Sequence, residues 1–106
     1  MSRYYVYILK CADNSFYTGI TNDLERRLNE HNAGINPDSY TCNRRPVKLA
    51  FYEEFDNPYL AIEYEKKIKR WSHNKKQALI DENWDLLKKL SVCKNKTSHI
   101  LYRKKK

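Results

Sequence analysis

Residues 4–21 read Tyr4-Tyr5-Val6-Tyr7-Ile8-Leu9-Lys10-Cys11-Ala12-Asp13-Asn14-Ser15-Phe16-Tyr17-Thr18-Gly19-Ile20-Thr21. The aromatic and β-branched run over 3–10 predicts a strand. Asp13, Asn14 and Ser15 can each hydrogen-bond their own backbone, which makes 12–15 a turn. Residues 16–21 return as a second strand, so the stretch is an antiparallel hairpin. Side chains alternate along a strand, placing Tyr5, Tyr7 and Leu9 on one face and Tyr4, Val6 and Ile8 on the other.

Beyond the hairpin, Asn22 is the expected N-cap of a first helix, with Glu25 closing a capping box. Leu24, Arg27, Leu28 and His31 follow the i, i+3, i+4, i+7 spacing of one helix face. Gly34 is the expected C′ residue. Residues 34–46, polar and with two prolines, read as a loop, and 47–52 as a third strand. Asn57-Pro58 starts a second helix running to about Trp71, with Pro at N1. Ser72 caps a third helix over 73–82, and Trp84, Leu87 and Leu90 share a face of a short helix over 84–90. The order β-β-α-β-α-α lacks the βαβ alternation of a doubly wound sheet, so the chain is expected to be α+β, a small antiparallel sheet flanked by helices. The expected organisation is one domain over 1–82, a short helix over 83–90, and a basic, flexible tail over 91–106.

The 106 residues suit one modest core. No apolar run reaches the ~18 residues of a membrane span, and no signal-peptide core opens the chain, so a cytoplasmic location is expected. Cys11, Cys42 and Cys93 form neither a C-x-x-C nor a zinc pattern and read as reduced thiols. The net charge of +8 is unevenly placed. Residues 1–85 carry thirteen Lys/Arg and thirteen Asp/Glu, and every excess positive charge follows Asp85. The high pI therefore describes the end of the chain more than the domain, which weakens any case for nucleic-acid binding made from pI alone.

Two residues stand out on the helices. Arg27 lies beside the Leu24/Leu28 stripe with His31 four residues on, where a guanidinium can hold a phosphate bidentately. A core-edge arginine with its head in water is the commoner reading of that pattern. Glu65 falls inside the apolar stripe Ala61, Tyr64, Ile68 and Trp71, where a carboxylate costs free energy unless a cation or donors meet it. A hard divalent ion fits one carboxylate plus waters and phosphate oxygens, and an edge salt bridge to Lys66 or Lys69 fits as well. Tyr7 and Tyr17 occupy neighbouring strands, where a cation beside a hydroxyl would make it useful in proton transfer. His31 can exchange a proton near neutral pH, or simply pack half-exposed. Lys66, Lys67, Lys69, Arg70, Lys75 and Lys76 have no acid among them. With Arg44 and Arg45 they would form a phosphate-tracking rim if they surround the Arg27/Glu65 face, and otherwise they are a solvated surface.

Tyr5-Val6-Tyr7, Tyr17-Thr18-Gly19, Arg27 and the Glu65-Lys66-Lys67-Ile68-Lys69-Arg70-Trp71 segment, in that order, resemble the GIY-YIG nuclease domain. The runs 17–32, 44–47 and 68–72 resemble most closely its small stand-alone bacterial members. The resemblance covers roughly residues 3–82 and implies a three-stranded antiparallel sheet flanked by helices. It also implies hydrolysis of a DNA phosphodiester with a single Mg²⁺ or Mn²⁺. By position, Glu65 would ligate the metal, Arg27 would stabilise charge on the phosphate, Tyr17 would orient the attacking water with Tyr7 as its neighbour, and His31 would stand beside the scissile phosphate. Tyr5 replaces the first glycine of the name-giving motif, and Ile20 stands where DNA-repair members have lysine. DNA is the expected partner, with no membrane and no small-molecule cofactor. Two other classes fit the same fold: a nucleic-acid-binding module without turnover, and a protein-interaction domain.

Overall fold

The computed structural model of the chain describes residues 3–92. Strands β1 (Tyr4–Lys10), β2 (Phe16–Thr21) and β3 (Lys48–Phe55) form one antiparallel sheet in the order β2-β1-β3. Four helices accompany it: α1 (Leu24–Ala33), α2 (Pro58–Lys69), α3 (His73–Ile80) and α4 (Trp84–Val92). This is the expected α+β architecture. The described residues divide into two compact units, 3–71 and 72–92. The first contains the sheet with α1 and α2, and the second is the α3–α4 pair. Of the basic tail, residues 93–106 lie outside the described residues, whereas 91 and 92 extend α4 two residues past the expected end.

The hairpin forms for the reasons its sequence suggests. The Asp13 carboxylate accepts from the Ser15 backbone N–H at 3.0 Å, and Cys11 N–H closes onto the Ser15 carbonyl at 2.9 Å. Asn14 takes the left-handed conformation, φ 70°, which asparagine tolerates better than most residues. β1 is the central strand, and Val6 to Leu9 are all buried. Its two sets of neighbours put Tyr7 opposite Gly19 on β2 and opposite Tyr52 on β3. Tyr7, Leu9, Cys11 and Val47 make the core cluster on the α1 side, with Tyr17, Leu24 and Leu28 packed against it.

Several boundaries differ from expectation. The N-cap of α1 is Asp23, not Asn22, and its carboxylate accepts from the Arg26 backbone N–H at 3.1 Å. The two residues are equally good caps, and Asp23 is selected because Thr21 Oγ1 accepts its backbone N–H at 3.1 Å. Glu25 is then a first-turn acid near the positive helix end rather than a capping-box partner. The expected third strand, 47–52, is displaced to 48–55. Val47 stays out of the ladder because the Asn32 side chain takes both its backbone groups. Val47 N–H donates to Asn32 Oδ1 at 2.7 Å, and Asn32 Nδ2 donates to the Val47 carbonyl at 3.1 Å. A single amide thus ties the end of α1 to the sheet. Helices α2 and α3 end two residues sooner than expected, at Lys69 and Ile80. The remaining signals act as read: Gly34 caps α1 at φ 66°, Asn57 and Ser72 cap α2 and α3, and Pro58 opens α2.

Candidate active site

Tyr17, Arg27, Glu30 and His31 line an open cleft of about 220 Å³ together with residues from the 34–42 segment, among them Ser39 and Thr41. β2 supplies Tyr17, and one face of α1 supplies Arg27 and His31. The loop after α1 closes the third side because Gly34 turns the chain back: its left-handed backbone ends the helix, and the Arg45 guanidinium occupies the space a Cβ would need.

Tyr7 lies beneath this cleft, 1% exposed. Its hydroxyl is 3.2 Å from His31 Nε2, and its ring is 6.4 Å from that of Tyr17. Burial and then the Tyr17 hydroxyl push the Tyr7 hydroxyl up to about 12, the Glu65 carboxylate adds to the rise, and the Arg27 guanidinium opposes it. Tyr17, Arg27 and Glu65, on three different elements, are therefore all within electrostatic reach of one hydroxyl. That hydroxyl also explains Gly19: a Cβ there would overlap the Tyr7 oxygen and ring.

Arg27 is held part-way into the protein, its side chain 37% exposed. Its Nε is covered and makes no hydrogen bond, because Glu30 Oε1, although 3.2 Å away, lies off the N–H direction. The Arg27 guanidinium lines the cleft, where a phosphate's oxygens would match its fork. Glu65 is 13% exposed, and the ammonium of Lys69 lies 3.6 Å from its carboxylate. No group of three or more His, Cys, Asp or Glu converges among the described residues. Glu30, a second carboxylate at the cleft, is paired with Arg26 and Arg27, so Glu65 is the carboxylate left to hold an ion. That donor set suits Mg²⁺ or Mn²⁺, which keep several waters and take substrate oxygens, and does not suit Zn²⁺.

His31 is held below the ordinary histidine value, first by burial and then by Arg27, with Glu30 opposing. The ring is thus neutral at pH 7. The sign for stability follows. Below the ordinary value near 6.5, the unfolded chain binds a proton that the folded chain refuses, so stability falls as pH drops. We expect the denaturation midpoint to fall between pH 7.5 and 5.5, and His31→Gln to flatten that slope. Equal slopes in urea titrations of the two proteins would show that His31 is not the source.

The remaining sequence candidates are placed as follows. Arg44 Nε donates to Asp13 Oδ2 at 3.1 Å and Nη1 to the Tyr40 carbonyl at 2.7 Å, with the guanidinium 3.9 Å over the Tyr40 ring. Tyr40 in turn stacks on Tyr17 at 6.1 Å, so Arg44 braces the wall of the cleft. Arg45 Nε donates to the Cys42 carbonyl at 2.7 Å. Lys69 pairs with Glu65, and Arg70 is the exposed C-cap of α2. Lys75 and Lys76 belong to the second unit, where Lys76 is 8% exposed. Sequence reading missed Ser39, Thr41 and Asn32. They lie in or beside an aperiodic polar segment, where no spacing rule singles out one hydroxyl or amide from the next.

The GIY-YIG catalytic domain model matches residues 3–78. A UPF0213 protein of Haloquadratum walsbyi is 47% identical over 83 residues, spanning 78% of this chain and 92% of its own. One from Staphylococcus saprophyticus is 45% identical over 82 residues, 77% and 99% of the two chains. Among solved structures, the solution NMR structure of a UPF0213 protein from Bacillus halodurans aligns with a TM-score of 0.50 at 38% identity, covering 74% of this chain and 83% of that one. A solution structure of an E. faecalis protein aligns at 0.56 and 33% identity, covering 81% and 90%.

Proposed function

We propose that this chain, which belongs to the GIY-YIG family and within it to the UPF0213 proteins, is a metal-dependent endonuclease that hydrolyses DNA phosphodiesters. The observation that carries the reading is the surrounding of one buried hydroxyl, on Tyr7, by Tyr17, Arg27, His31 and Glu65 from three other elements, next to an open cleft. A purely structural tyrosine has no need of a guanidinium, a carboxylate, an imidazole and a second phenol around it.

Each residue has a role its surroundings support. Arg27 binds a non-bridging phosphate oxygen and stabilises the charge that builds as water attacks. Tyr17, opening on the cleft, orients that water, and the Tyr7–His31 pair behind it accepts its proton. Glu65 is the residue that would hold the divalent ion, which supplies Lewis-acid polarisation of the phosphate and neutralises the leaving oxygen. Lys66, Lys69 and Arg70 on α2 would extend the phosphate contacts along the strand. The domain over 1–85 is neutral overall, so long-range attraction to DNA falls to the residues after Asp85.

The test is nicking of supercoiled plasmid, and cutting of branched, nicked and single-stranded oligonucleotides, with Mg²⁺, with Mn²⁺ and with EDTA. Metal-dependent cutting supports the reading. No cutting of any substrate, together with salt-sensitive binding, would leave a nucleic-acid-binding module. Binding of a protein partner that ignores salt would favour the interaction domain.

A further inference from the structure

His31 has a second oxygen partner that none of the roles above uses. Its Nδ1 is 2.8 Å from Thr41 Oγ1, and Thr41 Oγ1 is 3.0 Å from Ser39 Oγ. Thr41 is buried, whereas Ser39 is half-buried and lines the cleft with it. With the Tyr7–His31 bond, this makes an unbroken row of four hydrogen-bonding groups from a buried phenol to the cleft: Tyr7, His31, Thr41, Ser39. The charged and titratable groups facing His31 are Tyr7 on β1, Tyr17 on β2, Arg27 and Glu30 on α1, and the Cys42 thiol across the cleft.

Donor and acceptor counting allows the row two directions, one for each neutral tautomer of His31. A neutral imidazole has one N–H. If Nδ1 carries it, Nδ1–H donates to Thr41 Oγ1, the Thr41 hydroxyl donates to Ser39 Oγ, and Nε2 is left to accept the Tyr7 O–H. Ser39 Oγ also accepts the Thr41 backbone N–H at 3.3 Å. Both its lone pairs are then used, which leaves its own hydrogen to donate to an acceptor in the cleft that Ser39 lines. With Nε2 protonated instead, every bond in the row reverses, and Tyr7 must be the acceptor.

We propose that Thr41 and Ser39 are positioning residues that fix His31 in its Nδ1-protonated tautomer and relay the Tyr7 proton to the cleft. Its use in catalysis rests on the nuclease reading. In the transfer, the Tyr7 O–H bond breaks as Nε2–H forms. Nδ1–H breaks as a new Thr41 O–H forms, and the old Thr41 hydrogen passes to Ser39. The old Ser39 hydrogen leaves to water or a buffer base in the cleft. One proton has moved from Tyr7 to solvent and the ring is neutral before and after, with its hydrogen now on Nε2; a proton entering at Ser39, as Tyr7 gives one up to the leaving oxygen, runs the hops backwards and restores Nδ1–H. The Tyr7 oxygen takes the proton of the attacking water as it gives up its own, so a phenol that hardly ionises at neutral pH still serves as a base. A ring held neutral at pH 7 suits such a relay, because an imidazolium has no lone pair to accept with.

Ring-nitrogen NMR of the ¹⁵N-labelled full chain tests this without any substrate. The expected result is a His31 protonated at Nδ1 and bare at Nε2. Thr41→Val removes the acceptor and should move the proton to Nε2, and Thr41→Ser should restore it. In the nicking assay, Thr41→Val should lose roughly a hundredfold and Thr41→Ser should stay within about threefold of wild type. Protonation at Nε2 in the wild type, or an unchanged tautomer in a folded Thr41→Val, overturns the proposal. If Thr41→Val does not fold, Ser39→Ala decides: a folded variant that nicks at the wild-type rate overturns the relay. A wild type that never nicks removes the nuclease reading, while the tautomer measurement still decides whether Thr41 directs His31.

Discussion

Glu65→Gln is expected to abolish metal-dependent cutting while leaving the fold intact. A divalent ion that polarises a phosphate is worth several kcal/mol of barrier, and each 1.36 kcal/mol is tenfold in rate, so the loss should be roughly a thousandfold or more. Stability should not follow activity. The Glu65 carboxylate is 13% exposed and meets Lys69 only at 3.6 Å, a distance at which the pair returns little of what burying the charge costs. The amide keeps the shape and removes that cost, so the thermal midpoint should hold or rise. Two further readouts separate loss of metal from loss of fold. Mg²⁺ or Mn²⁺ should raise the midpoint of the wild type and not of the variant, because only a state that binds the ion is stabilised by it. Oligonucleotide affinity measured in EDTA should be unchanged. A Glu65→Gln protein that still cuts at near the wild-type rate would remove Glu65 as the metal ligand.

How much of this could be read from the chain differs between the regular elements and the loop. The hairpin, the α1 stripe and the caps at Asn57, Ser72 and Gly34 were legible because each obeys a short-range rule: alternation, a 3.6-residue period, or one side chain reaching the nearest backbone N–H. The cap of α1 lies one residue beyond the expected one because Asn22 and Asp23 satisfy the same rule. Only the tertiary position of the Thr21 hydroxyl separates them. Val47 reads as part of β3 for a related reason. Its sequence is that of a strand, but its backbone bonds go to Asn32, fifteen residues earlier, and no local pattern announces that. Arg44 and Arg45 show the limit of charge as a signal. A pair of arginines in a polar loop reads as a phosphate rim or a solvated surface, and charge alone does not announce the partners these two have, Asp13, three carbonyls and a tyrosine ring. The Ser39/Thr41 pair was invisible altogether, because its meaning depends on where His31 Nδ1 points.

Gly19 is where fold and site meet, and Gly19→Ala is expected to damage both. This glycine is not required by its backbone, because among the described residues only Gly34, Asn14 and Glu82 have positive φ. It is required by space. Gly19 pairs with Tyr7 across the β1–β2 ladder, and the Tyr7 ring crosses its Cα so closely that a single added methyl overlaps the ring and its oxygen. Tyr7 is 1% exposed and stiff about its ring, so it cannot swing its end away as a surface lysine would. Overpacking a well-filled core costs about 1–3 kcal/mol, and for a domain of this size each kcal/mol lowers the thermal midpoint by roughly 4–8 °C. The displaced ring also carries the hydroxyl off His31 Nε2, now 3.2 Å away. Nicking should therefore fall well beyond what the lost stability explains, even when assayed far below the midpoint. Tyr7→Phe in the Gly19→Ala background separates the two effects. It removes the oxygen that a Cβ meets first, so it should recover part of the stability and none of the activity. If Gly19→Ala melts and nicks like the wild type, the close approach of Tyr7 to this strand is wrong, and the site built on it must be redrawn.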